Sequence, residues 1–160
     1  MHVLALALAA VLAASDDTWD EEAEYGGRFR RLSLVAWGGQ AFDVGGAREG
    51  GPLAGAEVAW AFDAVELGVL GQLVRLRATP DLEWSPVVLA RLTERFRTGP
   101  AIETSFTFGF GAGKTDDWVG WYQIAVGLRV GFGETAFLGA ELSFEQYDLV
   151  RLAIGLGVRI

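Results

Sequence analysis

The stretch GAELSFEQYD, residues 139–148, carries two glutamates, Glu141 and Glu145, four positions apart. Two carboxylates within reach of one another can divide the work of general acid and general base. In an extended segment, however, residues four apart share a face. The same pair is suited to receive arginines in a packed interior, and that structural role is the expectation. Nucleophilic catalysis has little to work with: a serine or threonine hydroxyl needs an adjacent base, and the single histidine is His2. The absence of cysteine excludes a thiol nucleophile, a thiolate metal site, a disulfide and a lipoprotein anchor. GFGAGKT (109–115) imitates a phosphate-binding loop, but the glycine required five positions before Gly113 is Phe108. An alternating segment follows it where a helix is needed, and GFGETA (131–136) fails the same context test as a dinucleotide fingerprint. No catalytic, cofactor-binding or metal-binding residue is assigned.

What remains are isolated charges set into apolar runs. In WYQIAVGLRVGFGE (121–134), Tyr122, Ile124, Val126, Leu128, Val130 and Phe132 alternate with Gln123, Ala125, Gly127, Arg129 and Gly131. Strict alternation marks a β-strand with two chemically different faces. Glu57 stands against Val58, Trp60 and Phe62; Glu103 against Ile102, Phe106, Phe108 and Phe110. Glu141 stands against Leu138, Ala140, Leu142 and Phe144, and Arg159 against Leu152, Ile154, Leu156, Val158 and Ile160. With Arg91, these residues make three acids (Glu57, Glu103, Glu141) and three bases (Arg91, Arg129, Arg159) on the less apolar faces. Such groups can satisfy one another across a narrow enclosed space.

The elements that must position them follow from the turn signals at 38–52, 62–66, 77–81, 97–101, 111–117, 131–136 and 145–148. Seven connections leave eight strands, centred near Val35, Val58, Val69, Leu89, Phe106, Ala125, Ala140 and Leu156. Their length is about the 9–11 residues with which a tilted strand crosses a bilayer. Strand one is ambiguous, because Leu32, Leu34, Val35 and Trp37 fit neither face cleanly. An even number of antiparallel strands with short connections can close into an up-and-down barrel, which abolishes unpaired edges.

Ahead of the strands, MHVLALALAAVLAAS has the form of an export signal, with an apolar stretch ending in small residues. The expected organisation is a signal peptide over 1–14, an acidic linker over 15–27 and a β-barrel over 28–160. The formal charge is −8, but Asp16, Asp17, Asp20, Glu21, Glu22 and Glu24 supply six of those charges. The rest carries little net charge, so nothing favours nucleic acid. Arg28, Arg30, Arg31, Arg95, Arg97 and Arg159 gather at one barrel end, where the acidic segment could dock.

Which face meets water separates two barrels. A soluble, exported, lipocalin-like barrel turns its oily faces inward. A solvated sheet surface, though, normally carries many long charged side chains, and here the less apolar face is mostly glycine, alanine and serine. Turning Arg129 outward at mid-bilayer costs about 2–4 kcal/mol, whereas turning it inward encloses it. Aromatic residues gather near the strand ends: Trp84, Trp118, Trp121, Tyr122 and Tyr147 at one, Trp60, Phe62, Phe96 and Phe132 at the other. Two such girdles are expected of a transmembrane barrel.

On this architecture, residues 28–160 resemble the small eight-stranded outer-membrane barrels of the OmpA/OmpX type. AIGLGVRI supplies Gly155, Val158 and Ile160 at the spacing of the carboxyl-terminal strand that outer-membrane insertion machinery reads, with Ile160 where phenylalanine is typical. The resemblance implies an all-β, eight-stranded antiparallel up-and-down transmembrane β-barrel in the Gram-negative outer membrane, exported by a cleaved signal and monomeric. It also implies both chain ends in the periplasm, contact with outer-membrane lipid and lipopolysaccharide, and no cofactor. The expected role is non-enzymatic: structural, in envelope integrity, or in surface interaction. A restricted channel for small or hydrophobic solutes is the alternative. Asp81, Glu83, Asp116, Asp117 and Asp148 near the outer rim are read as solvated loop acids, though oxygen ligands of this kind suit divalent cations.

Overall fold

The computed structural model describes residues 32–45, 50–62, 64–77, 82–115, 117–133 and 135–160. Of Arg77, Leu82, Glu83 and Tyr147 only the backbone is described. The expected signal peptide, the acidic linker, and Arg28, Arg30, Arg31, Asp81 and Asp116 lie outside these residues.

Eight strands run in sequence order: β1 (Leu32–Asp43), β2 (Pro52–Phe62), β3 (Val65–Arg77), β4 (Leu82–Arg97), β5 (Ile102–Lys114), β6 (Trp118–Phe132), β7 (Ala136–Glu145) and β8 (Leu149–Arg159). Each pairs antiparallel with its neighbour, and β1 pairs with β8 from Ser33↔Arg159 to Asp43↔Leu149, so the barrel is closed. Closure leaves no free edge. The start of β1, the end of β8 and the connections 63–64, 98–101 and 133–135 lie at one end, called here the turn end. The connections after β1, β3, β5 and β7 lie at the other, the loop end. The last of these is a 3₁₀ turn, Gln146–Asp148, in which Asp148 takes the left-handed conformation (φ 59°).

Residues predicted as a turn from Gly38 belong partly to β1, which continues to Asp43. Glycine breaks a strand only where nothing pairs with it; here Gly38 pairs with Ala54 on one side and Ile154 on the other.

Alternation decides the faces in every strand. Phe106, Val126 and Leu156 point outward at 36%, 36% and 63% exposure, and Arg129 points inward at 6%. The lipocalin-like arrangement is thereby overturned. The outer surface is a belt of large apolar side chains, including Leu67, Val69, Phe108, Phe110, Leu152 and Ile154. In water such a belt would aggregate; in hydrocarbon it matches its solvent.

The lumen is not merely small and polar. Leu53, Leu70, Val74, Leu76, Val87, Leu89, Trp121 and Leu149 form a buried apolar cluster, mostly in the loop-end half. An eight-stranded barrel is just wide enough for side chains to fill it, and here they do so with hydrocarbon as well as with charge.

Candidate functional site

The charges occupy the rest of the lumen in three groups, two of which share a residue. Toward the turn end, Glu66 on β3 accepts from Arg129 on β6 (2.8 Å), Arg95 on β4 (2.7 Å) and the hydroxyl of Ser33 (3.3 Å). Glu103 on β5 is bonded by Arg95 (3.3 Å) and Arg159. In the middle, Arg91 spans Glu57 (2.7 Å) and Glu141, and the indole of Trp37 donates to Glu57 (3.0 Å). Toward the loop end, Arg151 reaches Glu141, Glu145 (3.2 Å), Ser143 (3.0 Å) and Gln72. Glu145 also accepts from Trp121 (3.0 Å) and Gln123 (2.7 Å). Glu141, bound by both Arg91 and Arg151, joins the middle group to the upper one.

Among the described residues five glutamates and five arginines thus meet in the lumen, drawn from every strand but β1. Charge-assisted hydrogen bonds are individually strong, but enclosure removes the solvation each ion had in water. The network therefore holds the barrel in one register: losing a fully enclosed member such as Arg91 strands its partners inside.

Bulky aromatic rings pack against glycines. A side chain at Gly155 would place its Cβ 2.6 Å from Trp37, one at Gly157 would lie 2.2 Å from Phe137, and one at Gly113 2.3 Å from Trp121. Phe137 is in turn close to two guanidinium groups, Arg129 at 5.0 Å and Arg159 at 5.2 Å from its ring centre. At those distances the ring face attracts cations. Lumenal glycine is thus matched to lumenal aromatic.

All six residues named from the sequence, Glu57, Arg91, Glu103, Arg129, Glu141 and Arg159, lie at inward positions. The pairing is not internal to the six: Arg129 bonds Glu66. Glu66, Arg95 and Arg151 were not among them, nor were Gln72 and Trp37. Arg151 shares the face of Ala153 and Gly155 and was legible by parity. The ambiguity of β1 resolves with Leu34 outward and Val35 and Trp37 inward. Trp121 is corrected from the girdle to the lumen, where it is fully buried and its indole donates to Glu145. Trp84, Trp118 and Tyr122 are exposed at the loop end, and Trp60, Phe62 and Phe132 at the turn end. Of the arginines expected at the turn-end mouth, Arg95 and Arg159 reach into the lumen and Arg97 is exposed. Asp117 and Asp148 are exposed.

No family model matches the sequence, and no curated protein matches it. Solved structures do. The N-terminal β-barrel domain of Pseudomonas aeruginosa OprF superposes with a TM-score of 0.63 at 17% identity, covering 82% of this chain and 98% of that one. Neisserial surface protein A gives 0.59 at 10% identity over 81% and 96%. A de novo designed transmembrane β-barrel gives 0.59 at 15% over 84% and 98%. The fold is that of the small outer-membrane β-barrels. At these identities the likeness is one of architecture.

Proposed function

We propose that this chain is a non-enzymatic barrel of the bacterial outer membrane, with the turn end of the barrel on the periplasmic side, serving envelope integrity or surface interaction. One observation carries the reading: the outer face is hydrocarbon, while the interior is filled by paired charges and apolar side chains. A filled interior supports a load-bearing or contact-making body over a conduit. The glutamates with acid–base potential, Glu141 and Glu145, are held by Arg91, Arg151, Gln123 and Trp121. That arrangement supports a structural role, because an enclosed pair fixed by cations has no approach for substrate. Of the connections at the loop end, the one between Asp43 and Pro52 is the longest in residues.

The test is fractionation of the native host, with heat-modifiable mobility and protease treatment of whole cells. Expected are extraction only by detergent, slower or faster migration after boiling, and cleavage in the loops from outside. A strain lacking the chain should admit detergents and large apolar antibiotics more readily. Recovery from the periplasm without detergent contradicts the location; an unchanged barrier and unchanged surface binding contradict the role.

A further inference from the structure

We propose that the outward face of β3–β5 at the loop end binds one molecule of lipopolysaccharide, holding its phosphates with Arg75 and Lys114 and an acyl chain in the groove beneath them. The assignment rests on the outer-membrane orientation given above and deepens it.

The apolar belt carries a shallow, open groove of about 420 Å³ on β2–β4, whose lining includes the outward-facing Ala54, Gly71, Leu73, Pro86 and Val88. Register brings these together: Leu73 lies between Ala54 and Pro86, and Gly71 opposite Val88. Gly71 makes the depression, since a Cβ there would meet nothing within 4 Å. Hydrocarbon chains fill such troughs, because a gap in the belt forfeits dispersion contacts.

Directly above the groove, Arg75 and Trp84 face each other across β3 and β4, with the guanidinium 5.9 Å from the ring centre. Arg75 Nε is buried without a hydrogen-bond partner, and Arg75 has no acidic partner among the described residues. Lys114 follows Gly113, which pairs with Val87, so it flanks Pro86 from the opposite side of β4. It is exposed, and its own cross-strand partner is the exposed Trp118. Arg75 and Lys114 thus straddle β4 two strand spacings, roughly 10 Å, apart across the sheet, and are offset by two residues, roughly 7 Å, along it.

Two outward cations without an acidic partner among the described residues are out of place against hydrocarbon and well placed against phosphate. A lipid with two phosphates can meet the two cations separately. The tryptophans lie at the interface, where amphipathic rings settle, and the groove carries the site down into the acyl region. Cations, rings and trough together fit a doubly phosphorylated, multiply acylated lipid.

The experiment uses the full chain in detergent, titrated with bisphosphorylated lipid A and read by native mass spectrometry. Dephosphorylated lipid A and phosphatidylglycerol serve as comparisons. The variants are Arg75→Gln with Lys114→Gln, and Gly71→Leu, which fills the groove where nothing obstructs it. Heat-modifiable mobility establishes that each variant is folded. The expected result is one retained lipid A, weakened roughly tenfold or more by the double charge change, as for loss of a charge-assisted hydrogen bond. Gly71→Leu and dephosphorylation should each weaken it as well. Equal binding by all folded variants overturns the site, and phosphatidylglycerol bound as tightly as lipid A overturns the occupant. Protease treatment of whole cells separates the two levels. Loops out of reach refute the orientation and this site with it, whereas loops within reach and unaltered lipid binding refute the site alone.

Discussion

The ring of Trp37 on β1 fills the space that a side chain at Gly155 on β8 would need, across the seam that closes the barrel. The two are cross-strand partners, and a Cβ at Gly155 would lie 2.6 Å from the indole. Trp37 also donates to Glu57 at 3.0 Å, so it cannot swing aside without breaking a buried hydrogen bond. Gly155→Ala should therefore destabilise the folded barrel by about 1–3 kcal/mol, the usual cost of overpacking. Gly71→Ala, pointing into open space, should change stability far less. Urea titration in lipid vesicles, followed by tryptophan fluorescence, reads both; equal effects would contradict the packing described.

Arg91 holds Glu57 and Glu141 together from β4, with side-chain exposures of 1%, 2% and 5%. Replacing it by methionine keeps the bulk but strands Glu57 with only the Trp37 indole. The expected loss is about 3–5 kcal/mol, the cost of leaving a buried charge unpaired. Adding Glu57→Gln to Arg91→Met should recover part of it, since the uncompensated charge is gone. Additive losses would mean that the two residues do not act on each other.

Because the Arg91 pairs with Glu57 and Glu141 are enclosed, added salt has little access to the centre of the network. Raising ionic strength from about 0.1 M to 1 M shortens the screening length from about 10 Å to 3 Å. Unfolding of the inserted barrel should nevertheless shift by less than roughly 0.5 kcal/mol, as buried pairs are little screened. A steady loss of stability with salt would place the network in contact with solvent.

Position and not residue type decides where a charge is tolerated. Val126→Arg puts a guanidinium on the outward face beside Phe106 and Leu142, its cross-strand partners. It should lower stability by about 2–4 kcal/mol if that position lies near mid-bilayer. Thr107→Ser, on the lumenal face, should cost much less. The comparison needs only folded fractions by electrophoresis at a series of urea concentrations.

The outward and inward faces of β2, β5, β6, β7 and β8 were legible because their small or charged residues alternate cleanly with bulky apolar ones. β1 was not, for a physical reason. Where the lumen accepts Val35 and Trp37, both faces are apolar and the contrast that periodicity depends on vanishes. Trp121 was misjudged by distance from the strand end, although its parity with Gln123 and Arg129 already placed it inside. The inward charges were readable one strand at a time, but their partners were not. That Arg129 meets Glu66 depends on how far the strands are staggered around the barrel, a property of closure that no single strand carries. The apolar lumenal cluster around Leu70, Val74 and Leu89 was hidden for the same reason as β1, since β3 and β4 carry large hydrophobics on both sides.

Placement of hydrocarbon outside and charge inside is tested most directly by site-directed spin labelling, which the absence of native cysteine makes clean. Single cysteines at residues 124 to 129 of β6, labelled in lipid vesicles, report collision with molecular oxygen, which concentrates in the acyl region. High oxygen accessibility is expected at positions 124, 126 and 128 and low accessibility at 125, 127 and 129. The opposite alternation, or access to a water-soluble nickel chelate at 126, would contradict that placement.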